Sequence, residues 1–458
     1  MNFSRMNSDN NPSVASSGYS YGKIWRTTYP ILISLLMEQL LGMTDTAFLG
    51  RVGEIELGAS AIAGVYYTVL FMIGFGFSIG AQIVMGRRNG EAVAGTGPHE
   101  AVGRVFWQGL WFLLALAGGT ILLSRLLSPS LLRFLLSSDA VGEASMTYVL
   151  WRVPSLLFAF PNAMFRAFYV GTTRTRVLTF GSAVMVGANI LLDWVLIFGH
   201  WGAPALGIQG AAVASTLAEA LTLVFFIVYS LLQKADRRYG LGTVARPERR
   251  EMRELLQVAS WTMVDNVIGV ATWLLFFLFI EHLGEESLAI ANIVRSVSGL
   301  FYIIISAFAS TTATLVANTI GEDRPEGVIP VIRRILRMGF VLVLVPTALV
   351  ALFPRPVIRL FTDIPSLIGA SVPTLWVMCA GSVVTLPAFV YLQAVCGTGR
   401  TRKSFWLDLW ALGIYIVYCT VVIGMLHANV AVSWTADTVY GAALWFLCSR
   451  YIRSMKWK

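Results

Sequence analysis

Apolar residues recur along this chain in twelve runs, at roughly 27–49, 57–86, 103–123, 144–165, 177–198, 209–232, 255–280, 287–318, 337–353, 366–396, 404–426 and 431–450. Each is close to the length a helix needs to cross a hydrocarbon core of about 30 Å at about 1.5 Å per residue. The pattern predicts an all-α, polytopic membrane protein with twelve transmembrane helices. The stretch 1–22 is polar and rich in Ser and Asn. It lacks the short basic-then-apolar layout of a cleaved signal peptide, and is expected to be a disordered cytoplasmic tail.

Composition agrees: 56% of the 458 residues are hydrophobic and 13% charged, against about 25% charged in soluble domains. The net charge of +9 is unevenly placed. With the N-terminus inside, basic residues crowd the cytoplasmic loops, from Arg87 and Arg88 through Lys234–Arg253 to the tail Arg450–Lys458. The opposite side carries only Arg51, Arg125, Arg133, Arg355 and Arg359. That is the positive-inside asymmetry, and it accounts for the basic charge without nucleic acid. It implies an even number of spans, both termini cytoplasmic, and a multi-pass plasma membrane location, most simply a bacterial inner membrane. The four cysteines, Cys379, Cys396, Cys419 and Cys448, form no CxxC pair, so neither a disulfide framework nor a structural metal is expected.

The chain repeats itself. Gly53-Glu54 returns as Gly284-Glu285, and Gly90-Glu91 returns as Gly321-Glu322 at the same interval. GTTRTR at Gly171–Arg176 returns as GTGRTR at Gly397–Arg402, and Pro161 as Pro387, both at a second, slightly shorter interval. Two six-helix bundles follow, at 23–232 and 255–458, joined by a charged cytoplasmic linker at 233–254. Six is even, so both halves enter from one side. They should be related by an axis along the membrane normal, with a central cleft between them.

Few polar residues interrupt the spans. Asn189 and Asp193 lie four apart in the fifth, on one helix face. Glu38 and Asp45 lie seven apart in the first, and Ser215 and Thr216 lie in the sixth. Counted from the span ends, Asp45, Asp193 and Ser215 sit at one depth, roughly 8–10 Å below the outer boundary. A carboxylate in hydrocarbon costs about 2.5–3.5 kcal/mol on insertion scales, so such residues face the protein interior or an ion. Two carboxylates, an amide and a hydroxyl at one level suit a proton or a hard cation such as Na+ at Asp45, Asn189 and Asp193. A hydrogen-bond network that only holds the bundle together is the alternative. The repeat places Phe276, Tyr415 and Cys419 opposite Asp45, Asn189 and Asp193, so the carboxylates have no copies at these positions. Asp265 is expected to be a helix-end residue. For a substrate cleft the candidates are Glu38, Gln39, Met37, Tyr66 and Tyr67, a soft and aromatic wall for flat organic cations. Glu38 either draws a cation there or bonds to Gln39 and neighbouring helices; the Met and aromatic residues are otherwise plain packing.

The run YPILISLLMEQLLGMTDTAFLGRVGEIELGASAIAG, and ANILLDWVLIFG followed by GIQGAAVAS, resemble the multidrug and toxic compound extrusion (MATE) family over nearly everything after Ile24. The resemblance implies that Asp45 is a coupling residue. In the DinF-like subgroup, to which this chain looks closer, Asn189 and Asp193 join it, with a hydroxyl at Ser215 or Thr216. A NorM-like site would put acids near Gly269 and Thr385, and neither is acidic.

The expected function is a secondary multidrug efflux antiporter that exchanges organic, often cationic compounds for H+ or Na+, with no other cofactor, acting as a monomer in the lipid bilayer. No GxxxxGK[ST] nucleotide loop occurs. The rivals are a lipid-linked oligosaccharide flippase, which should line its cleft with cations, and a membrane-embedded enzyme. The spans offer few cations beyond Arg152 and Arg295. The histidines, His99, His200, His282 and His427, fall in or beside loops, without HExxH.

Overall fold

The computed structural model describes residues 19–136, 138–233 and 237–457. The first half contains α1 (Tyr21–Leu49), α2 (Glu54–Val93), α3 (Glu100–Leu135), α4 (Asp139–Arg152), α5 (Leu156–Gly171), α6 (Arg176–Phe198) and α7 (Ile208–Leu232). The second contains α8 (Arg249–Glu281), α9 (Glu285–Gly321), α10 (Val328–Leu352), the short α11 (Pro354–Ile358), α12 (Pro365–Gly397), α13 (Thr401–Cys419) and α14 (Val430–Arg453). Ten of these helices are long and apolar enough to cross a membrane. The fourth crossing is α4 and α5 together. A 3-10 turn at Val153–Ser155 divides it, because Pro154 removes a helical donor. The last crossing is α14, whose Ser433, Thr435, Asp437 and Thr438 make it more polar than the rest. The fold is thus all-α with twelve crossings.

Local chemistry sets several boundaries. The Ser20 side chain caps α1 by accepting from the Lys23 amide, and Asn429 caps α14 by accepting from Val432. Gly199 ends α6 in the left-handed region at φ 76°, a conformation glycine adopts without steric cost. The start of α1 corrects the expected tail. Tyr21 is already helical, and the Tyr19 hydroxyl donates to Glu322 Oε1 at 2.7 Å while its carbonyl accepts from Arg334. The rest of that stretch, 1–18, lies outside the described residues.

Two apolar cores form, one within α1–α7 and one within α8–α14, each borrowing a few side chains from the other half. The halves meet chiefly along α2, through small residues that let backbones approach. A Cβ at Gly76 would lie 2.7 Å from the Thr262 carbonyl oxygen and Met263 Cα, and one at Gly90 would overlap the Asn318 carbonyl. Hydrogen bonds reinforce this seam: Gln82 to Thr314 at 2.8 Å, Asn89 to Asn318 at 2.7 Å and Thr28 with Thr311 at 3.0 Å. These contacts lie toward the end of the bundle that carries the basic loops. The linker is pinned to α3 at the same end, with Gln108 donating to the Arg246 carbonyl and Trp111 to that of Ala245.

Candidate functional site

Near the end opposite the basic loops, α1, α6 and α7 bring four polar side chains together. With its amide oriented to satisfy its neighbours, Asn189 donates to Asp45 Oδ1 at 2.8 Å and to Asp193 Oδ2 at 3.1 Å, and accepts from Ser215 at 3.1 Å. Asn189 and Asp193 are fully buried, whereas Asp45 is half-buried. The Asp45 and Asp193 carboxyl groups are also within hydrogen-bonding reach of each other. Asp193 Oδ1 is buried and has no hydrogen-bond partner among the described residues. Thr216 turns away, donating to the Ala212 and Trp151 carbonyls.

A second layer lies beneath. Arg152, at the end of α4, pairs with Glu219 Oε1 of α7 at 2.8 Å, donates to Ser155 at 2.6 Å and stacks 4.0 Å from the Tyr67 ring centre. The Tyr67 hydroxyl reaches Ser155 and Glu219. Arg152 is also the cation that acts on Asp45 and Asp193, and Tyr148 bonds to it within range of both. Buried guanidinium and carboxylate groups at 2.8 Å form a strong pair once both are out of water.

The second half differs. The expectation of a helix-end Asp265 is overturned: it sits sixteen residues into α8, within hydrogen-bonding reach of the buried Asp408 of α13. The Tyr440 hydroxyl donates to Asp408 Oδ1 at 2.7 Å. Counted back by the repeat intervals, Asp265 and Asp408 correspond to Ser34 and Ser182, whose hydroxyls meet at 2.5 Å. Phe276, Tyr415 and Cys419, opposite the first-half cluster, are all buried. Asp437 of α14 faces them, within electrostatic range of Tyr415 and Cys419. The second half therefore has its own acids, at positions the repeat alignment of Asp45 and Asp193 does not reach.

The family described as MatE matches residues 30–195 and 262–421. The chain belongs to the MatE family. Among relatives, the probable multidrug resistance protein NorM of Aromatoleum aromaticum is 25% identical, covering 92% of this chain and 93% of its own. Its namesake in Thermotoga maritima is also 25% identical, covering 94% and 91%. In fold, the chain resembles an outward-facing multidrug resistance MATE transporter of the MOP superfamily, at TM-score 0.86 and 19% identity over 95% of this chain and 96% of that one. The MatE chain is thus a multi-pass membrane protein, and its family is one of transporters rather than enzymes.

Of the residues singled out in this MatE sequence, Asp45, Asn189, Asp193 and Ser215 are brought together and Thr216 is not. Glu38 forms an ion pair with Arg166 of α5; Gln39 is exposed. Tyr66 donates to Ser124 at 2.9 Å and Tyr67 joins the Arg152 network, so both are held inside the first lobe. Met37 is half-buried on α1. Sequence reasoning passed over Glu219, Asp408 and Asp437. Each is an acid inside an apolar run, and that signal alone marks it.

Proposed function

We propose that this MatE protein is a secondary active multidrug exporter that expels organic, often cationic compounds in exchange for H+ or Na+, coupled through Asp45, Asn189 and Asp193. The observation that carries the reading is the buried Asp193 oxygen without a partner, beside a second carboxylate and an amide. A buried acceptor of this kind is costly unless it takes up a proton or a cation. Two carboxyl groups within hydrogen-bonding reach of each other hold one shared proton more readily than they ionise together, which favours a proton over Na+ as the coupling ion. A bound proton biases the inward- and outward-facing states by as much as its affinity differs between them. The small-residue seam along α2 is the surface on which the lobes would rock.

Family membership and the names of the relatives support multidrug efflux. The relatives carry the NorM name; our reading of this chain as closer to the DinF-like subgroup rests on Asp45, Asn189 and Asp193 alone. The protein would act as a monomer, with both termini cytoplasmic, in a bacterial inner membrane. Export measured in everted vesicles, with a proton or a sodium gradient imposed alone, tests this. Export driven by the proton gradient and lost in Asp193→Asn supports it. Export driven only by sodium refutes the choice of ion, and export unaffected by Asp193→Asn refutes the site.

A second reading has an observation of its own. Asp265 and Asp408 face each other, and two carboxyl groups at hydrogen-bonding distance share a proton more readily than they ionise together. Coupling would then run through the second lobe.

A further inference from the structure

The second lobe contains an open pocket of about 110 Å³ between α9, α12 and α14. The repeat shows what it replaces. Ser298, on its wall, is the repeat equivalent of Tyr67. Met378 and Gly381, also on its wall, are the repeat equivalents of Arg152 and Ser155. In the first lobe these positions hold the Arg152 guanidinium, stacked on Tyr67 and paired with Glu219. A phenol has become a hydroxymethyl, a guanidinium a thioether and a hydroxymethyl a hydrogen. The volume and the positive charge have both gone.

A negative charge remains. Asp437 lines the cavity, and its side chain is accessible rather than sealed in the core. Trp434 lies one turn before it on α14, and Tyr302 flanks the opening from α9. No ion pair joins Asp437 to a basic side chain among the described residues, in contrast to Glu219 and its arginine. An accessible carboxylate among aromatic rings, in a space that the other lobe fills with its own planar cation, has the chemistry of an organic-cation receptor.

We propose that this cavity is a binding subsite for a flat monovalent organic cation, with Asp437 as counter-ion, Trp434 and Tyr302 as aromatic walls, and Met378 in the place of the first lobe's tethered guanidinium. The proposal deepens the exporter reading and rests on it for the direction of transport, but binding itself needs no gradient. The first lobe is closed to such a ligand because Arg152 already occupies the equivalent space.

The test is equilibrium dialysis of the purified full-length protein against 1-methyl-4-phenylpyridinium, with neutral 4-phenylpyridine at pH 8 as the uncharged control. Wild type should bind the cation saturably. Asp437→Asn should weaken that binding about tenfold or more, the scale of a desolvated cation–carboxylate or cation–π contact, and leave the weak binding of the control unchanged. Met378→Arg should abolish cation binding by rebuilding the first-lobe arrangement, and a retained melting temperature would show that the variant is folded. Absence of saturable cation binding by wild type, or equal affinity in folded Asp437→Asn, overturns the proposal. Export by wild-type vesicles alongside unaltered Asp437→Asn binding sinks the subsite alone; binding as proposed without export sinks the exporter reading alone.

Discussion

In the first lobe, the contact between α1 and α6 pairs Ser34 with Ser182 toward the basic end and Asp45 with Asp193 toward the other. In the second, the equivalent contact between α8 and α13 reverses the order of polarity. Asp265 meets Asp408 toward the basic end, while Phe276 and Cys419 fill the far level. Eleven residues separate the two levels on all four helices. Eleven residues are three helical turns, about 16 Å, so each upper residue stands on the same face as the lower one. The repeat thus preserves which faces touch and leaves the depth of the acids free. One further contrast separates the pairs. An Asp193 oxygen is left without a partner, whereas neither Asp265 nor Asp408 contributes a buried oxygen in that condition among the described residues.

The largest expected effect follows from that contrast. Asp45→Asn and Asp193→Asn should each reduce gradient-driven efflux to the level of vesicles without the protein, with insertion and melting temperature preserved. Efflux at wild-type rates in both would make the cluster a packing feature. Next in size is a stability effect confined to the first lobe. Glu219→Gln leaves the Arg152 guanidinium buried without its counter-charge, which costs about 3–5 kcal/mol. At the repeat-equivalent place, Trp445→Phe should cost less than about 1.5 kcal/mol, because no charge is stranded. Thermal unfolding of the two variants gives the ranking, and a smaller loss in Glu219→Gln would show that Arg152 re-pairs with Asp45 or Asp193.

Asn189→Ala removes a neutral donor and no charge. It should weaken the response of efflux to the gradient by about five- to tenfold, at the low end of coupling energies near 1–3 kcal/mol. The dependence of efflux rate on imposed pH difference reads this out. Smallest of all should be Asp265→Asn. An amide replaces a carboxyl group that already donates or accepts within a closed pair, so efflux should stay within about twofold of wild type. A loss as large as that of Asp193→Asn would transfer the coupling role to the second lobe.

Much of this was legible in the sequence because a bilayer enforces simple patterns. Apolar run length gave the twelve crossings, and the GTTRTR repeat gave the two lobes. The common depth of Asp45, Asp193 and Ser215 followed from counting residues from helix ends, since a helix rises uniformly. What escaped was pairing across helices that the alignment did not bring into register. Asp265 reads as a helix end because its apolar run begins at 255, whereas α8 begins at Arg249. Asp408 and Asp437 lie in the eleventh and twelfth runs, and nothing in their own neighbourhoods names a partner three turns or two helices away. Tyr67 read as a cleft wall because a sequence does not show that Arg152 stacks on it.

The central claim is that the proton acts in the first lobe. The most direct measurement is substrate-induced proton release from purified protein in weakly buffered detergent solution, for wild type, Asp193→Asn and Asp265→Asn. The account predicts release from wild type and Asp265→Asn and none from Asp193→Asn. Release lost in Asp265→Asn and retained in Asp193→Asn would contradict it and place the working pair at Asp265 and Asp408.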